Sequence, residues 1–493
     1  MSIAHRAIEA EKNREWGVVT ELSKTYDICT TFIYTLRNGL KALIPLIFSP
    51  NEEIISYSKK EIIKKILSYR LEGAMSISAI STIMKREGLN YSGQSTISQS
   101  LSAIGALISP IESIPEGKEF KITVLLDEIF IGSQPILITV EPISSAIINI
   151  ELANNRTGES WESHLNYPIS NRNIEIINAV SDNGSGILLG VKNSLPNAHR
   201  QPDTFHALAY HLGIWVSRLE SKAYSAIKYE YEREAVYLNS KSEKVMREKR
   251  ELYEEACVKT IEAIELYEDF KYLYLDALKQ LNPFQSNGVL RSVTNAKEEL
   301  EVALELIETL GHERINREIK RVKKLLPNLL DYFNTAQKAI ENCKSLGVDD
   351  ETLRVLSLEW QWRKNWIKAK NLQRKKIAKE EIDKDSFTGK CILWEDYESI
   401  KEKVFRELDN IIQASSMVEN INSLLRPYLD RSKNQVTQEF LNLFAFYHNH
   451  RVYKRGKRKG KAPIEILTGE KQNIDWIELL IERVENKETN FFS

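Results

Sequence analysis

The chain has 493 residues, of which 42% are hydrophobic and 28% are charged, with 68 Lys and Arg against 69 Asp and Glu. At about 150 residues per domain, this length predicts about three domains, and the ordinary composition excludes a mainly disordered, collagen-like or disulfide-stapled chain. The net charge of −1 gives no indication of a nucleic-acid partner, so a basic surface must come from local segregation of charge.

The ends and apolar segments of the chain indicate a cytoplasmic protein. The longest apolar stretches fall well below the roughly 20 residues of a membrane-spanning helix. The N-terminus reads MSIAHRAIEAEKNREW, which lacks the apolar core of a signal peptide. The four cysteines are far apart and form no CxxC pair, which favours a reducing compartment and argues against a zinc ribbon. We therefore expect no membrane association.

The first part of the chain has apolar residues at helical spacing and predicts two helix-turn-helix domains, at 1–50 and 51–117. In the first, Val18, Leu22, Ile28, Phe32, Ile33 and Leu36 are the expected core. In the second, Ser76 is expected to cap a helix, Gly88 to end it, and Ser92 or Ser95 to start the next. In a helix-turn-helix protein that next helix enters the DNA major groove. A plain helical bundle without a DNA-binding role fits the same pattern.

The segment 118–214 becomes rich in strands and carries two notable aspartates. Asp127 follows the apolar run KITVLL, and Asp182 follows a second strand in NAVSDNGSG. Two carboxylates at the ends of two strands of one sheet can converge on a divalent ion, and hard oxygen ligands suit Mg²⁺. Taken singly, each aspartate also fits a structural role, and for Asp182 that role is an Asx-turn or a helix cap.

The remainder of the chain is helical and ends in a basic segment. Residues 215–404 are dominated by Glu, Lys, Leu, Ala and Tyr at helical spacing, which predicts a separate helical domain. Ten Lys and Arg lie between Arg426 and Lys461 against only Asp430 and Glu439. A segment of one sign at this density predicts a surface that binds an anionic partner such as DNA. The residues expected to contact DNA are Arg426, Arg431, Arg451, Lys454, Arg455, Lys457, Arg458, Lys459 and Lys461.

Together these segments resemble the DDE transposases of bacterial insertion sequences. The resemblance is carried by the strand ending LLDE, the later strand ending VSDNGSG, the helix SSMVENINSLLR, and the ending YHNHR followed by RGKRKGKAPIEILTG. It implies a ribonuclease H-like, retroviral-integrase-like catalytic core with a mixed five-stranded sheet. That core would occupy 118–214 and 405–452, split by the helical insertion at 215–404 and followed by a basic tail at 453–493.

The resemblance also implies a third catalytic acid, for which Glu419 is the best match. The gap from Asp182 to Glu419 is 419 − 182 = 237 residues, whereas many integrase-like members have a gap of about 35, so the insertion opens the alternatives Glu407 and Glu439. Glu419 is preferred because Asn422 and Arg426 follow on the same helical face, which gives the polar stripe of a site. An amphipathic helix facing solvent gives the same pattern.

The implied function is transposition of DNA. Asp127, Asp182 and Glu419 would bind two Mg²⁺ ions, with Mn²⁺ as a substitute, for cleavage of transposon-end DNA and transfer of the freed 3′-OH to target DNA. The expected partners are the transposon ends, the target DNA and further copies of the chain, in association with the bacterial nucleoid. The alternatives are a catalytically inactive DNA-binding regulator derived from a transposase, and a nuclease of the same fold without strand transfer.

Three further residues are accessory candidates. His206, in the segment QPDTFHALAYH, is expected near the metal site or scissile phosphate, although such a histidine is more often a simple hydrogen-bond partner. Trp360 and Trp366 lie beside a run of Lys and Arg and are candidates for stacking on a displaced base. Packing within a helical core is the stronger interpretation of these tryptophans.

Overall fold

The computed structural model describes residues 3–48, 57–369, 371–431, 435–489 and 491–492, and Lys433 of the basic segment lies outside them. The protein is a mixed α/β structure with 68% helix, and its described residues form one five-stranded mixed sheet. This confirms the predicted combination of helical regions with such a sheet. The chain divides into two compact units, Met1–Ile62 and Ile63–Ser493.

The first unit is helical, as its spacing predicts. Its helices are α1 (Ile3–Lys12), α2 (Val18–Tyr26) and α3 (Thr30–Phe48), with α4 (Lys59–Leu67) running across the unit boundary. Ile33 and Val18 are buried as expected, but Phe32 is 49% exposed and is not a core residue.

The second unit contains the expected helix pair, α5 (Ile77–Arg86) and α6 (Gln94–Leu107), which follows α4 and a π-helical turn at Ser68–Glu72. The Ser76 side chain accepts a hydrogen bond from the Ala79 amide, so the predicted cap is confirmed. The cap of α6 is Gly93, and not Ser92 or Ser95. Helix α6 comes close to a later helix, because a Cβ on Gly105 would lie 2.2 Å from the carbonyl oxygen of Glu439. This helix pair therefore belongs to the same compact unit as the sheet, Ile63–Ser493.

The sheet is built from short β-rich segments that match the predicted strands. The strands are β1 (Phe120–Ile131), β2 (Gln134–Val140), β3 (Ile147–Leu152), β4 (Ile174–Ser181) and β5 (His199–Pro202). Their order is β3-β2-β1-β4-β5, with β1, β2 and β3 antiparallel and with β4 parallel to β1 and β5. Helices α7 (Gly158–Asn171) and α8 (Ser185–Ser194) cover one face.

Close packing at α8 explains the glycines that follow Asp182. A Cβ on Gly186 would lie 1.9 Å from the Arg156 carbonyl oxygen, and one on Gly190 would lie 2.4 Å from Cβ of Trp161. A larger side chain at either position would push α8 away from the α7 region. The glycines in this part of the chain therefore set the helix packing directly beside the Asp182 turn.

The predicted insertion, 215–404, is helical, and its helices extend past those bounds, from His211 to Leu408. Its helices are α9 (His211–Leu238), α10 (Glu243–Lys279), α11 (Val293–Thr309), α12 (Glu313–Leu329), α13 (Tyr332–Ser345), α14 (Asp350–Lys368), α15 (Leu372–Leu393) and α16 (Tyr397–Leu408). Two hydrophobic clusters organise them, one joining α9 to α12 and one joining α13, α14 and α16.

After the insertion the chain returns to the sheet. The returning helices are α17 (Ser416–Arg431), α18 (Gln438–His450), α19 (Pro463–Thr468) and α20 (Trp476–Lys487). Helix α17 packs its apolar stripe on the second face of the sheet. Among the described residues, no helix combines the length and the apolarity that crossing a bilayer requires.

The YHNHR segment completes the open edge of the sheet. The Asn449 side chain accepts a hydrogen bond from the Ile147 amide at 2.8 Å and donates one to its carbonyl oxygen at 2.9 Å. At the other end of α18, the Gln438 side chain bonds the Leu152 amide and the Ile150 carbonyl oxygen in the same way. Side-chain amides thus satisfy backbone groups of edge strand β3, which would otherwise be open to pairing with another chain.

The histidines of this segment are buried and neutral. Chiefly because of burial, the pKa of His448 is lowered to about 3 and that of His450 to about 4. The Nε2 atom of His448 lies 2.8 Å from the Ser145 carbonyl oxygen, and Nδ1 of His450 lies 2.7 Å from Gln472 Oε1. Both histidines therefore stabilise the packing of α18.

Candidate active site

Asp127 lies within β1 on the face of the sheet that α17 covers. Side chains alternate along a strand, and Leu125 and Ile129 on either side of Asp127 belong to the hydrophobic cluster under α17. Leu126 points to the opposite face, toward α7 and α8. The periodicity of the strand therefore places one carboxylate within an otherwise apolar layer beneath α17.

Parallel pairing brings Asp182 beside Asp127. Leu126 of β1 lies opposite Ser181, the last residue of β4, so Asp127 and Asp182 each follow the last pair of this parallel ladder. One Asp182 carboxylate oxygen accepts a hydrogen bond from the Gly184 amide at 2.9 Å. This is the Asx-turn geometry anticipated for Asp182. The turn and the proximity to Asp127 coexist.

Glu419 reaches the same region from α17. Val418, Ile421 and Leu425 of this helix are fully buried against the sheet, and Glu419 lies in its first turn beside that stripe. The Glu419 side chain is 51% exposed, and its Oε1 atom lies 3.7 Å from Nε2 of His206. The structure therefore places His206, the predicted accessory residue, against the predicted third acid.

Asp127 is the electrostatic centre of the group. Its pKa is raised to about 6, chiefly by burial and also by the negative charges of Asp182 and Glu419, whereas the hydrogen bond from the Glu128 amide and the charge of His206 lower it. The Glu128 amide donates to one carboxylate oxygen at 2.8 Å, and Asn422 Nδ2 donates to the other at 2.9 Å. The site thus disfavours the ionised form of Asp127 when no cation is bound.

Asn422 joins α17 to β1 at this point. It lies one helical turn after Glu419 and is buried, and its Oδ1 atom has no hydrogen-bond partner among the described residues. A buried oxygen without a partner beside a buried carboxylate calls for a donor or a cation. The Asn422 position was predicted on the Glu419 face of the helix, whereas Arg426 of the same stripe is exposed.

The donor set suits a hard divalent cation. Within the described ranges, no three His, Cys, Asp or Glu side chains are gathered closely enough to hold a metal ion, and Glu419 is turned toward His206. The three acids are nevertheless close enough for Asp182 and Glu419 to raise the pKa of Asp127. Carboxylate and amide oxygens of this kind are preferred by Mg²⁺. A cation would offset both the burial and the mutual repulsion of these groups.

The alternative third acids lie elsewhere. Glu407 belongs to α16 and accepts a hydrogen bond from Asn342 of α13 at 2.8 Å, so it packs with the helices between β5 and α17. Glu439 starts α18, where its backbone carbonyl oxygen lies against Gly105 of α6. Glu419 is the candidate whose charge acts on Asp127.

Two arginines near Asp182 were not anticipated from the sequence. Arg200 of β5 donates to the Asp182 carbonyl oxygen at 2.9 Å and to Asn183 Oδ1 at 2.7 Å. Arg156 pairs with Glu128 at 2.5 Å, and the charge of Asp182 contributes to raising its pKa. Both arginines come from other strands or loops, and no local motif marks them. The register of β4 with β5, which sets Ala179 opposite Arg200, is what brings Arg200 here.

The basic segment divides into structural and exposed residues. Arg458 donates to the carbonyl oxygens of Pro142 and Ile143 at 2.8 Å each, and Arg431 donates to the Ala74 carbonyl oxygen. Arg451 lies over the rings of Tyr447 and Tyr453, and Lys457 pairs with Asp409. The exposed members outside these contacts are Arg426, Lys454, Arg455, Lys459 and Lys461.

The predicted basic tail, 453–493, is a loop only at its start, over 453–461, and then contains α19 and α20. The Tyr453 amide donates to the Lys461 carbonyl oxygen at 3.1 Å, and the Gly460 amide donates to that of Tyr453 at 2.8 Å. The ends of the loop are therefore closed on each other. The exposed cations Lys454, Arg455 and Lys459 lie on this short closed loop.

The tryptophans of α14 have different environments. Trp360 is 2% exposed, donates from Nε1 to Asp409 at 3.1 Å, and packs edge-on against Phe284. A stacking contact between Trp360 and a displaced base would require this core to open. Trp366 is 43% exposed, so the expected stacking role is compatible with the surface position of Trp366 alone.

Comparison with known proteins adds no family assignment, because neither the models of known protein families nor the curated proteins include a match to this chain.

Proposed function

We propose that the chain is a DDE-type DNA transposase, which cleaves DNA at transposon ends and joins the freed 3′-OH to target DNA. The observation that carries this proposal is the convergence of three acids from distant parts of the chain. Asp127 lies within β1, Asp182 follows the end of the parallel strand β4, and the charges of Asp182 and of Glu419 on α17 both act on Asp127. The last two acids are 237 positions apart in the sequence, so their proximity is a property of the tertiary structure.

The topology supports the same proposal. An order of β3-β2-β1-β4-β5, with an antiparallel meander followed by two parallel strands, is what a ribonuclease H-like core requires. The insertion leaves the sheet after β5 and returns before α17. The core is therefore proposed to be ribonuclease H-like and interrupted by a helical domain.

The chemistry assigns a role to each residue. Asp127, Asp182 and Glu419 would hold two Mg²⁺ ions, which when bound stabilise the attacking and leaving oxygens of an in-line displacement. Asn422 orients the Asp127 carboxylate through its 2.9 Å hydrogen bond. His206 Nε2 lies 3.7 Å from Glu419 Oε1, so its ring is proposed to help orient that carboxylate. Because two DNA ends must be joined, the active form is proposed to be a dimer or larger assembly.

The exposed cations of the loop give the first expected result for DNA binding. We expect the combined variant Lys454→Ala, Arg455→Ala, Lys459→Ala and Lys461→Ala to bind DNA more weakly at all sequences. For each phosphate that the variant no longer neutralises, the slope of log K against log salt should fall by about 0.9, because fewer counterions are released. The measurement is a salt titration of the full chain with duplex DNA.

The matched control keeps the charge at the same positions through Lys454→Arg, Arg455→Lys, Lys459→Arg and Lys461→Arg, and should bind like the unaltered chain. An unchanged salt slope in the alanine variant would remove the loop from the DNA surface.

Nicking of DNA tests the proposed function directly. We expect the purified chain to nick DNA carrying the terminal repeats that flank its coding region, only with Mg²⁺ or Mn²⁺, and to join the freed 3′-OH to a second DNA. Nicking without joined product would identify a nuclease of the same fold. Specific binding without nicking would identify a DNA-binding regulator. The absence of both nicking and specific binding would overturn the proposal.

A further inference from the structure

The two ends of the insertion are held together by a seam of hydrogen bonds. The Gln201 side chain donates to the Ile412 carbonyl oxygen at 2.9 Å. Thr204 donates to the Gln413 carbonyl oxygen twice, from its amide at 3.1 Å and from its hydroxyl at 2.7 Å. The segment that follows β5 is thereby joined to the segment that precedes α17, although 211 positions separate Gln201 from Ile412 along the chain.

Asp203 is the centre of this seam. It is 2% exposed, and its carboxylate accepts four hydrogen bonds. Oδ1 accepts from the amides of Phe205 and His206 at 2.7 and 3.1 Å, which caps the π-helical turn Phe205–Tyr210 that leads into α9. Oδ2 accepts from the Ser415 amide at 2.6 Å and from the Ser415 hydroxyl. One carboxylate therefore serves both chain segments, one with each oxygen.

The contact between Asp203 and Ser415 matters because Ser415 lies at the start of α17. Ser415 immediately precedes α17, and its carbonyl oxygen accepts from the Val418 amide at 2.8 Å, in the turn that carries Glu419. The start of α17 thus depends on long-range contacts, because the chain that leads to it comes from the insertion and not from the sheet. Closing a loop of this length has an entropic cost that these bonds offset.

The same carboxylate also fixes His206, because one of its four bonds is to the His206 amide. Glu419 lies four positions after Ser415, and its side chain faces that of His206 at 3.7 Å. Asp203 therefore anchors the backbone on both sides of this pair. An ordinary helix cap accounts for only half of this arrangement.

We infer that Asp203 is a positioning residue, which sets the start of α17 and holds Glu419 and His206 in register with Asp127. This inference rests on the proposed function, since it concerns the same site. Asp203 does not touch the acids itself and acts through Ser415 and the His206 backbone.

Asp203→Asn tests the inference, because an asparagine has one accepting oxygen and cannot satisfy both pairs of donors. We expect the Mg²⁺ concentration for half-maximal nicking to rise about 10- to 100-fold, as is typical when a residue that supports metal ligands is altered. We also expect faster hydrogen exchange in the peptides of α17, Ser416–Arg431. Both are measured on the full chain.

Asp349→Asn is the matched control. Asp349 caps α14 through the amides of Glu351 and Thr352 with one oxygen and accepts the Thr352 hydroxyl with the other, but all of these bonds are local. We expect Asp349→Asn to lose as much thermal stability as Asp203→Asn. The Mg²⁺ requirement for nicking and the hydrogen exchange of α17 should stay as in the unaltered chain.

Ser415→Ala covers the case in which Asp203→Asn does not fold, because it removes one donor and leaves the amide bond. We expect Ser415→Ala to raise the Mg²⁺ requirement for nicking less than Asp203→Asn does. In the double variant, the rise on a logarithmic scale should be smaller than the sum of the two single rises. Normal Mg²⁺ dependence and normal α17 exchange in a folded Asp203→Asn or Ser415→Ala variant would overturn the inference. If no variant, including the unaltered chain, nicks DNA, the proposed function fails, while the exchange of α17 still decides whether Asp203 positions that helix.

Discussion

Glu419→Gln should abolish both nicking and strand transfer while leaving the fold and DNA binding nearly unchanged. The amide keeps the shape of the side chain but loses the charge that would hold Mg²⁺. Metal-assisted stabilisation of the transition state amounts to several kcal/mol, which corresponds to a rate loss of roughly a thousandfold or more. Because the Glu419 side chain is 51% exposed, the substitution should have little effect on packing. The measurement is Mg²⁺-dependent nicking, with the melting temperature as the test of folding.

The controls are the other glutamates that the sequence offers. Glu407 accepts a hydrogen bond from Asn342, and Glu439 lies in the first turn of α18. Glu128 pairs with Arg156. Each of the three is replaced by Gln. All three variants should remain active. An active Glu419→Gln beside an inactive Glu407→Gln or Glu439→Gln would show that the third acid is assigned to the wrong side of the insertion.

Asp127→Asn and Asp182→Asn should match Glu419→Gln in activity. Residues that act as one unit give strongly non-additive defects, so any pair of these substitutions should be little worse than one alone. Additive losses would indicate that the three acids act independently and not around shared ions.

Asp127→Asn should also raise stability without metal at neutral pH. The pKa of Asp127 is raised from 3.8 to about 6, first by burial and then by neighbouring negative charge. Below about pH 4 the carboxyl is protonated in both the folded and the unfolded chain and costs nothing. As the pH rises from about 4 to about 6, the unfolded chain releases the proton first, so the free energy of unfolding falls. Asparagine has no such titration.

The expected gain is modest and depends on pH. A rise of about two pH units in a pKa corresponds to roughly 3 kcal/mol. The loss of one acceptor for the Glu128 amide or for Asn422 offsets about 1 kcal/mol of this. Chemical unfolding should therefore show a gain of about 1–2 kcal/mol above pH 6 that disappears near pH 4. Added Mg²⁺ should stabilise the unaltered chain by mass action but not the variant.

Asp385→Asn is the matched control for this experiment. Asp385 in α15 is also buried, its pKa is raised to about 6 chiefly by burial, and its Oδ2 has no partner in the described part of the chain. We expect a comparable gain in stability at neutral pH with a normal response to Mg²⁺. If Mg²⁺ stabilises Asp127→Asn as much as the unaltered chain, Asp127 does not hold the ion.

The sequence by itself determined the secondary structure around the site. The alternation of β1 places Asp127 on the same face as Leu125 and Ile129, and the cap at Ser76 and the long helical insertion follow from local spacing. These features are encoded by residues within a few positions of each other, because strand alternation, helix periodicity and capping are local geometric properties.

The tertiary structure alone decided which side chains are buried and which distant residues meet. Helical spacing favours a core position for Trp360 but does not show that it bonds Asp409. Nothing near Arg458 shows that it bonds backbone carbonyl oxygens, unlike the exposed Lys459 beside it. The contact of Asp203 with Ser415 spans 212 residues. Such pairs depend on the packing of whole elements, and a local pattern of charge or hydrophobicity does not specify which partner a polar group finds once it is removed from water.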